Sequence, residues 1–558
     1  MSETRPVRPA PALPWPPREE LRWAALFAAA FMACTCLPYL AGLTLRQPGW
    51  YYSGLLTNPD EHNVYLSYLR QVQEGRLFLV DAFTSEPQSG RVVNVFFLAL
   101  GLLARITHLP LPVVYHIGRL ASGWLLLMAA YGLAAQALAT PPARKVALVL
   151  LATASGFGWL YPAAGGQPHP VDYGPGLVMP EAITFLSLLL NPLFCFSMFL
   201  MVVAIGLGAH AIHTGSIRHA ALAGLAALVL GNTHSYDVIP VAVVLAAYLV
   251  VSLATRQAGG RGLAAAVVIS VLAVPSLLYQ YWLFRIGEPG MVAKTLGQWG
   301  YARGPWFLAL GLGLPLLISA GGVVRSMRRD APHQARVLTL WLALGFALVC
   351  LPVPFQRKLA EGLHIPACLL AAYALEQLWR AARRRGLVAG AVLVALAVPS
   401  NVCYVKRALG DLVTNNTAYL GNLMPPLYLR PDQRAALQAL DEMATERDLL
   451  LANSFLSSYA PSLAGVRVYV GHWSETLRYV DKLKELSRFL GPGASDAERQ
   501  AFCRERGITF VLRDRTVYDG VLLPSQARAE PAFDPDRAHW LTRVFQEGEV
   551  SLHRIEGR

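Results

Sequence analysis

Four short segments of this chain gather side chains able to hold protons, anions or metal ions. Asn58-Pro59-Asp60-Glu61 sets two carboxylates side by side at the start of a helix expected to run through about Glu74, with Tyr65, Tyr68, Leu69 and Val72 on its apolar face. One carboxylate of such a pair can serve as a general base. The same residues also suit a plain helix start, with Asn58 as cap, Pro59 in the first position, and Asp60 and Glu61 against the helix dipole. Asn232-Thr233-His234-Ser235-Tyr236-Asp237 forms a tight turn between apolar runs, and His234 and Asp237 are ionisable groups at the mouth of a bundle. It too reads as a capped turn, with Asp237 starting the next helix. Phe355 to His364 carries Arg357, Lys358, Glu361 and His364. An arginine there offers a planar fork to phosphate oxygens, or else Arg357 and Lys358 snorkel and pair with Glu361 at i+4 or i+3. Gly471-His472-Trp473-Ser474-Glu475 follows a strand near the C-terminus, where His472 and Trp473 suit either a binding site or a domain core.

The elements that position these groups are set by composition. Of 558 residues, 54% are hydrophobic and 15% charged, with a mean hydropathy of +0.40. A soluble domain carries roughly 25% charged residues. This chain cannot cover itself with polar surface, so a soluble enzyme, a disordered protein and a disulfide-rich secreted module are excluded as whole-chain descriptions. The net charge of +13 does not point to nucleic acid. Beyond Arg407 there are 18 basic and 20 acidic residues, so the surplus lies in the apolar region, where bases punctuate membrane segments. Seven cysteines, mostly in apolar runs, form no disulfide or zinc pattern.

Apolar stretches near the ~20 residues needed to cross a bilayer recur at 23–45, 113–139, 145–163, 193–213, 219–233, 238–255, 263–285, 305–323, 337–353, 364–380 and 386–404, about eleven in all. With the N-terminus inside, the inner connections hold Arg144 and Lys145, Arg218, Arg256 and Arg261, Arg325 to Arg336, and Arg380 to Arg385. All are basic, as the positive-inside bias requires. An odd span count then puts the C-terminal tail outside. The expected fold is an α-helical polytopic membrane protein, N-in and C-out. Residues 1–22 form a cytoplasmic leader and 23–404 the transmembrane domain, with an outer first loop at 46–112. Residues 405–558 form a small extracytoplasmic α/β domain.

Within the first loop, Val92 to Thr107 is apolar but short and suits a helix lying at the interface. A second outer loop, about 163–191, holds His169, Asp172 and Glu181. In the tail, helical spacing at Asp432 to Met443, Asp481 to Leu490 and Asp496 to Arg506 alternates with strand-like Asp448 to Leu451, Val466 to Val470 and Ile508 to Leu512, which predicts an α/β domain.

An Asp-Glu pair in the first outer loop, an interfacial helix after it, many spans and an outer α/β tail together resemble the GT-C superfamily of polyprenyl-phosphate-sugar-dependent membrane glycosyltransferases, which includes protein O-mannosyltransferases and lipid A aminoarabinose transferases. The resemblance implies that Asp60 or Glu61 is the catalytic acid of the first loop. It also implies a polyprenyl-phosphate-linked sugar donor and a glycan, lipid or protein acceptor, in contact with membrane lipid and with no nucleic acid. The setting would be a bacterial inner membrane with the active site outside. The substrate-binding residues expected beside the acids are Asp237, His234, Arg357, Lys358, His364, His472 and Trp473. No cofactor is demanded, since a protein cation can stabilise a leaving phosphate, but the carboxylate pair leaves room for a divalent metal. Two other classes fit some of these features. A lipid or oligosaccharide transporter also needs charges at its outer mouth, yet no repeated halves are visible. A non-catalytic scaffold presenting the tail would tolerate loss of the first-loop acids.

Overall fold

A computed structural model describes residues 15–160, 179–288, 290, 306–415, 418–419, 422–423, 425–515 and 533–556. The chain is a multi-pass integral membrane protein. Among the described residues, seven helices are long and apolar enough to cross a membrane: Arg18–Leu45, Leu111–Ala137, Pro192–Thr214, Ser235–Ala254, Gly260–Gly287, Phe307–Ser326 and Arg384–Thr414. The segments expected at 219–233 and 337–353 form the shorter apolar helices Ile217–Gly231 and His333–Val349. Those at 145–163 and 364–380 form Pro141–Thr153 and His364–Ala381. The sequence folds as helices because hydrocarbon offers no partner to a backbone amide, and a helix pairs every amide within its own segment.

Two compact units divide the chain. The first comprises Met1–Cys36, Ile117–Trp282 and Trp299–Val405. It is a helical bundle held by small residues at the crossings, since lipid provides no hydrophobic drive between helices and close packing must do so. A methyl group on Gly322 of the helix Trp306–Ser326 would lie 2.2 Å from the Leu370 carbonyl of His364–Ala381. The helices Pro192–Thr214 and Ile217–Gly231 make a hairpin through Gly215, whose φ of 71° favours glycine. Arg119 is fully buried and donates to Thr35 Oγ1 at 2.6 Å and to the Leu188 carbonyl at 3.0 Å, tying three segments of the bundle.

The second unit comprises Leu37–His116, Leu283–Gln298 and Lys406–Arg558. Its centre is a five-stranded mixed sheet. Leu449–Leu451 runs parallel to Arg467–Val468 on one side and to Phe510–Asp514 on the other. Val550–Ile555 then pairs antiparallel with Phe510–Asp514 and with the edge strand Leu541–Glu547. Leu451, Tyr469, Val511, Phe489, Cys503 and Trp540 pack in its core. The helices Pro431–Met443, Tyr479–Leu490 and Asp496–Arg506 lie where the spacing put them. Helix Ser454–Leu463 and the hairpin of Leu541–Glu547 with Val550–Ile555 were not foreseen.

The first loop is knitted into this same unit. Tyr51–Tyr52 pairs with Tyr428–Leu429, the Val468 amide donates to the Ala82 carbonyl at 2.9 Å, and Lys482 Nζ meets Glu86 Oε2 at 2.7 Å. Helix Pro59–Gln73 packs on Val95–Thr107, the short apolar helix expected there, so closely that a methyl on Gly101 would lie 2.3 Å from Val72 Cβ. On the other side Asn63 Nδ2 donates to Ser458 Oγ at 3.2 Å.

Candidate active site

In the second unit, helix Pro59–Gln73 begins as expected with Pro59 in its first turn, and Asp60 and Glu61 follow. The expected cap does not form. Asn58 has φ 49° and ψ 53°, a left-handed backbone that turns its side chain away from the helix amides, and it makes no side-chain cap bond. The Asp60 carboxylate takes over locally, its Oδ1 accepting from the Glu61 amide at 2.9 Å. Asp60 is buried at 4% exposure, whereas the Glu61 side chain is 29% exposed and accepts from the Tyr65 hydroxyl at 2.9 Å.

The structure brings His472 to this pair. Its Nε2 lies 3.7 Å from Asp60 Oδ2 and 3.8 Å from Glu61 Oε2. The tautomer follows from the other ring nitrogen. Nδ1 accepts from the amides of Ser474 at 3.2 Å and Glu475 at 3.1 Å, so in the neutral ring the proton sits on Nε2, facing the two carboxylates. The turn that carries His472 is fixed by Thr476, whose hydroxyl accepts from the Gly471 and His472 amides and donates to the Phe83 carbonyl at 2.6 Å. Gly471 is needed here, because a methyl would lie 2.8 Å from Val468 Cγ2 and 3.0 Å from the Ser457 carbonyl. Trp473 is 37% exposed and stacks on the His472 ring at 5.9 Å. Burial pushes the Asp60 carboxyl above the usual carboxylate range; His472 offsets part of this, and the neighbouring Glu61 charge adds to it.

The first unit holds a second cluster. The 3₁₀ turn Ser235–Asp237 sets His234 Nδ1 3.0 Å from Asp237 Oδ2, and the same nitrogen lies 3.3 Å from Glu361 Oε2. Asp237 and Glu361 are fully buried, and Ser197 donates its hydroxyl to Asp237. Burial, with Asp237 and Glu181 nearby, holds the Glu361 carboxyl far above its ordinary range. Arg357 lies 3.4 Å from Glu181 Oε1. Burial would raise Glu181, but Arg357 and Lys358 outweigh it and hold that carboxyl low. Lys358 sits over the Phe194 ring at 6.0 Å. Arg357 thus pairs with Glu181, from a different loop. His364, fully buried, contacts Thr184 Oγ1 at 3.2 Å and Cys368 Sγ at 3.3 Å rather than this cluster. His234, Asp237 and Glu361 offer one ligand atom each, all within 4.8 Å of one another, and among the described residues they are a group that could hold a metal ion.

The sequence singles out Asp60, Glu61, His472, His234, Asp237 and Arg357, which the structure places in these two clusters, but it offers Glu361 only as an ion-pair partner and Glu181 only as a loop residue. A signal was available: an acid in a turn between apolar runs is costly unless something holds it. His169 and Asp172 lie outside the described residues.

No family model matches the chain, and no curated relative matches it. Solved structures do. ArnT from Cupriavidus metallidurans bound to undecaprenyl phosphate is similar with a TM-score of 0.51 at 13% identity, over 94% of this chain and 97% of that one. Arabinofuranosyltransferase AftD from Mycobacteria is similar with a TM-score of 0.55 at 14% identity, over 98% of this chain but 40% of that larger one. The chain has the GT-C fold. The Archaeoglobus fulgidus oligosaccharyltransferase in its apo form matches with a TM-score of 0.51 at 14% identity, over 87% of this chain and 69% of that one. Identities this low carry the GT-C architecture across and leave activity to the residues of the site.

Proposed function

We infer that this chain is a membrane glycosyltransferase that moves a sugar from a polyprenyl-phosphate donor to an acceptor hydroxyl on the outer face, with inversion at the anomeric carbon. Asp60 is the base. It removes the hydroxyl proton as the acceptor oxygen attacks, and the lipid phosphate leaves with the bonding electrons. The observation that carries this reading is the buried Asp60, raised by desolvation, with the Nε2–H of His472 directed at it. A base works best when its pKa approaches the ambient pH, and burial moves an aspartate that way. Glu61 and His472 act as positioning residues, and Trp473 offers an exposed ring on which a sugar face can stack. In the first unit, Arg357 is assigned the donor phosphate, because its side chain keeps 29% exposure beside Glu181.

That GT-C structures with similar folds include an arabinofuranosyltransferase, an oligosaccharyltransferase and a protein bound to undecaprenyl phosphate supports glycosyl transfer over transport or scaffolding. The test is mass spectrometry of surface glycans and glycoproteins from a deletion strain beside wild type, with complementation by the Asp60→Asn chain. A missing sugar restored by the wild-type gene but not by that variant is expected; unchanged glycans in the deletion strain would overturn the reading. The outer face is checked by cysteine labelling of tail positions from outside, where labelling is expected.

A further inference from the structure

Three side chains of the first unit form a site for which glycosyl transfer by Asp60 has no use. His234 and Asp237 come from the turn after Ile217–Gly231, and Glu361 comes from the segment before His364–Ala381. Asp237 and Glu361 are buried to within 1%. Asp237 Oδ1 and both Glu361 carboxylate oxygens find no hydrogen-bond donor. Two buried carboxylates side by side, with three of their four oxygens lacking a donor, repel strongly unless a proton or a cation lies between them.

The distances admit a cation as well as a proton. Around a divalent first-row cation with bonds of about 2.1 Å, neighbouring ligand atoms stand about 3.0 Å apart at right angles and about 3.4 Å apart in a tetrahedron. His234 Nδ1 lies 3.0 Å from Asp237 Oδ2 and 3.3 Å from Glu361 Oε2. The supports are also those of a ligand set. Ser197 holds the Asp237 oxygen through its hydroxyl, and Phe194 packs against the His234 ring at 5.6 Å. Gly362 follows Glu361 with φ 75°, and a methyl there would meet Trp341 at 3.2 Å and Met201 at 3.3 Å, so the backbone that delivers Glu361 is fixed.

We propose that His234, Asp237 and Glu361 bind one divalent transition-metal cation of the zinc or manganese class. One imidazole and two carboxylates are a mixed nitrogen and oxygen set suited to such ions. Three protein ligands leave further positions open to water or to an oxyanion. Loading requires His234 to carry its proton on Nε2, and it expels any proton shared by the carboxylates.

The test uses the full chain purified in lipid nanodiscs, stripped with chelator and reloaded with Mn²⁺ or Zn²⁺ alone. Elemental mass spectrometry after desalting should find about one ion per wild-type chain and about one in Asp60→Asn, but well under half in Asp237→Asn and Glu361→Gln. Titration calorimetry in two buffers of different ionisation enthalpy should show proton release on binding. Because a variant can lose its ion by misfolding, the Mn²⁺ electron paramagnetic resonance spectrum of the wild-type chain gives an independent reading: a bound, broadened signal that Zn²⁺ displaces. No stoichiometric ion in the wild-type chain, or equal retention by all variants as an adventitious ion only, overturns the proposal and means that a proton alone holds the pair. None of these measurements uses transfer, so the cation site can fail while the glycosyltransferase reading stands, and the reverse.

Discussion

Asp60→Asn separates a base from a structural carboxylate. Asparagine keeps the shape of aspartate and the Oδ1 that accepts from the Glu61 amide, so the local hydrogen bond at 2.9 Å survives. The charge does not. Loss of a positioned general base lowers turnover by about 10²- to 10⁴-fold, or about 3–5 kcal/mol of barrier. Stability should move the other way. Burial raises the Asp60 carboxyl above the ~3.9 of an unfolded chain. Between those two values the folded state binds a proton that the unfolded state has released, so wild-type stability falls as pH rises through that window and stays reduced above it. The asparagine variant has no such penalty. Its thermal midpoint in nanodiscs should therefore equal or exceed that of wild type at neutral pH, with the advantage vanishing at acidic pH where Asp60 is protonated. Transfer is measured on the same preparation with a panel of labelled polyprenyl-phosphate sugars. Near wild-type transfer refutes the base assignment. Loss of transfer together with a lower midpoint at every pH refutes it as well, because the carboxylate would then be holding the fold.

Other outcomes follow from the same geometry. His472→Ala removes a group that lowers Asp60, so the acidic limb of the pH–rate profile should move to higher pH; an unmoved limb would detach His472 from the base. Arg357→Ala should raise the Michaelis constant for donor and reduce turnover, and Arg357→Lys should not restore either, since a lysine cannot present two parallel donors to phosphate. Normal donor kinetics in both variants would leave Arg357 as the partner of Glu181 alone. Gly322→Ala would set a methyl 2.2 Å from the Leu370 carbonyl, and such overpacking costs about 1–3 kcal/mol, read as a lower thermal midpoint.

What the sequence could reveal was local. Periodicity gave the helix at Pro59–Gln73, the short helix Val95–Thr107 and the strands and helices of the tail, because each depends on spacing within a few turns. It could not reveal that Ala82, Phe83 and Thr84 bond to the tail around Val468 to Leu477, and so carry His472 to Asp60, because that contact is set by tertiary packing between remote segments. The Arg357 segment shows the same limit on a smaller scale. Spacing made Glu361 a partner for either Arg357, four residues back, or Lys358, three back. The chain forms a 3₁₀ turn at Gln356–Ala360, in which residues three apart share a side. Lys358, not Arg357, then shares a side with Glu361, and Lys358 is the cation whose field acts on that carboxyl. Arg357 is turned toward Glu181 on another loop. A single change of helical pitch thus leaves Glu361 facing His234 and Asp237, and a residue that looks like half of a surface ion pair becomes the third member of a buried cluster.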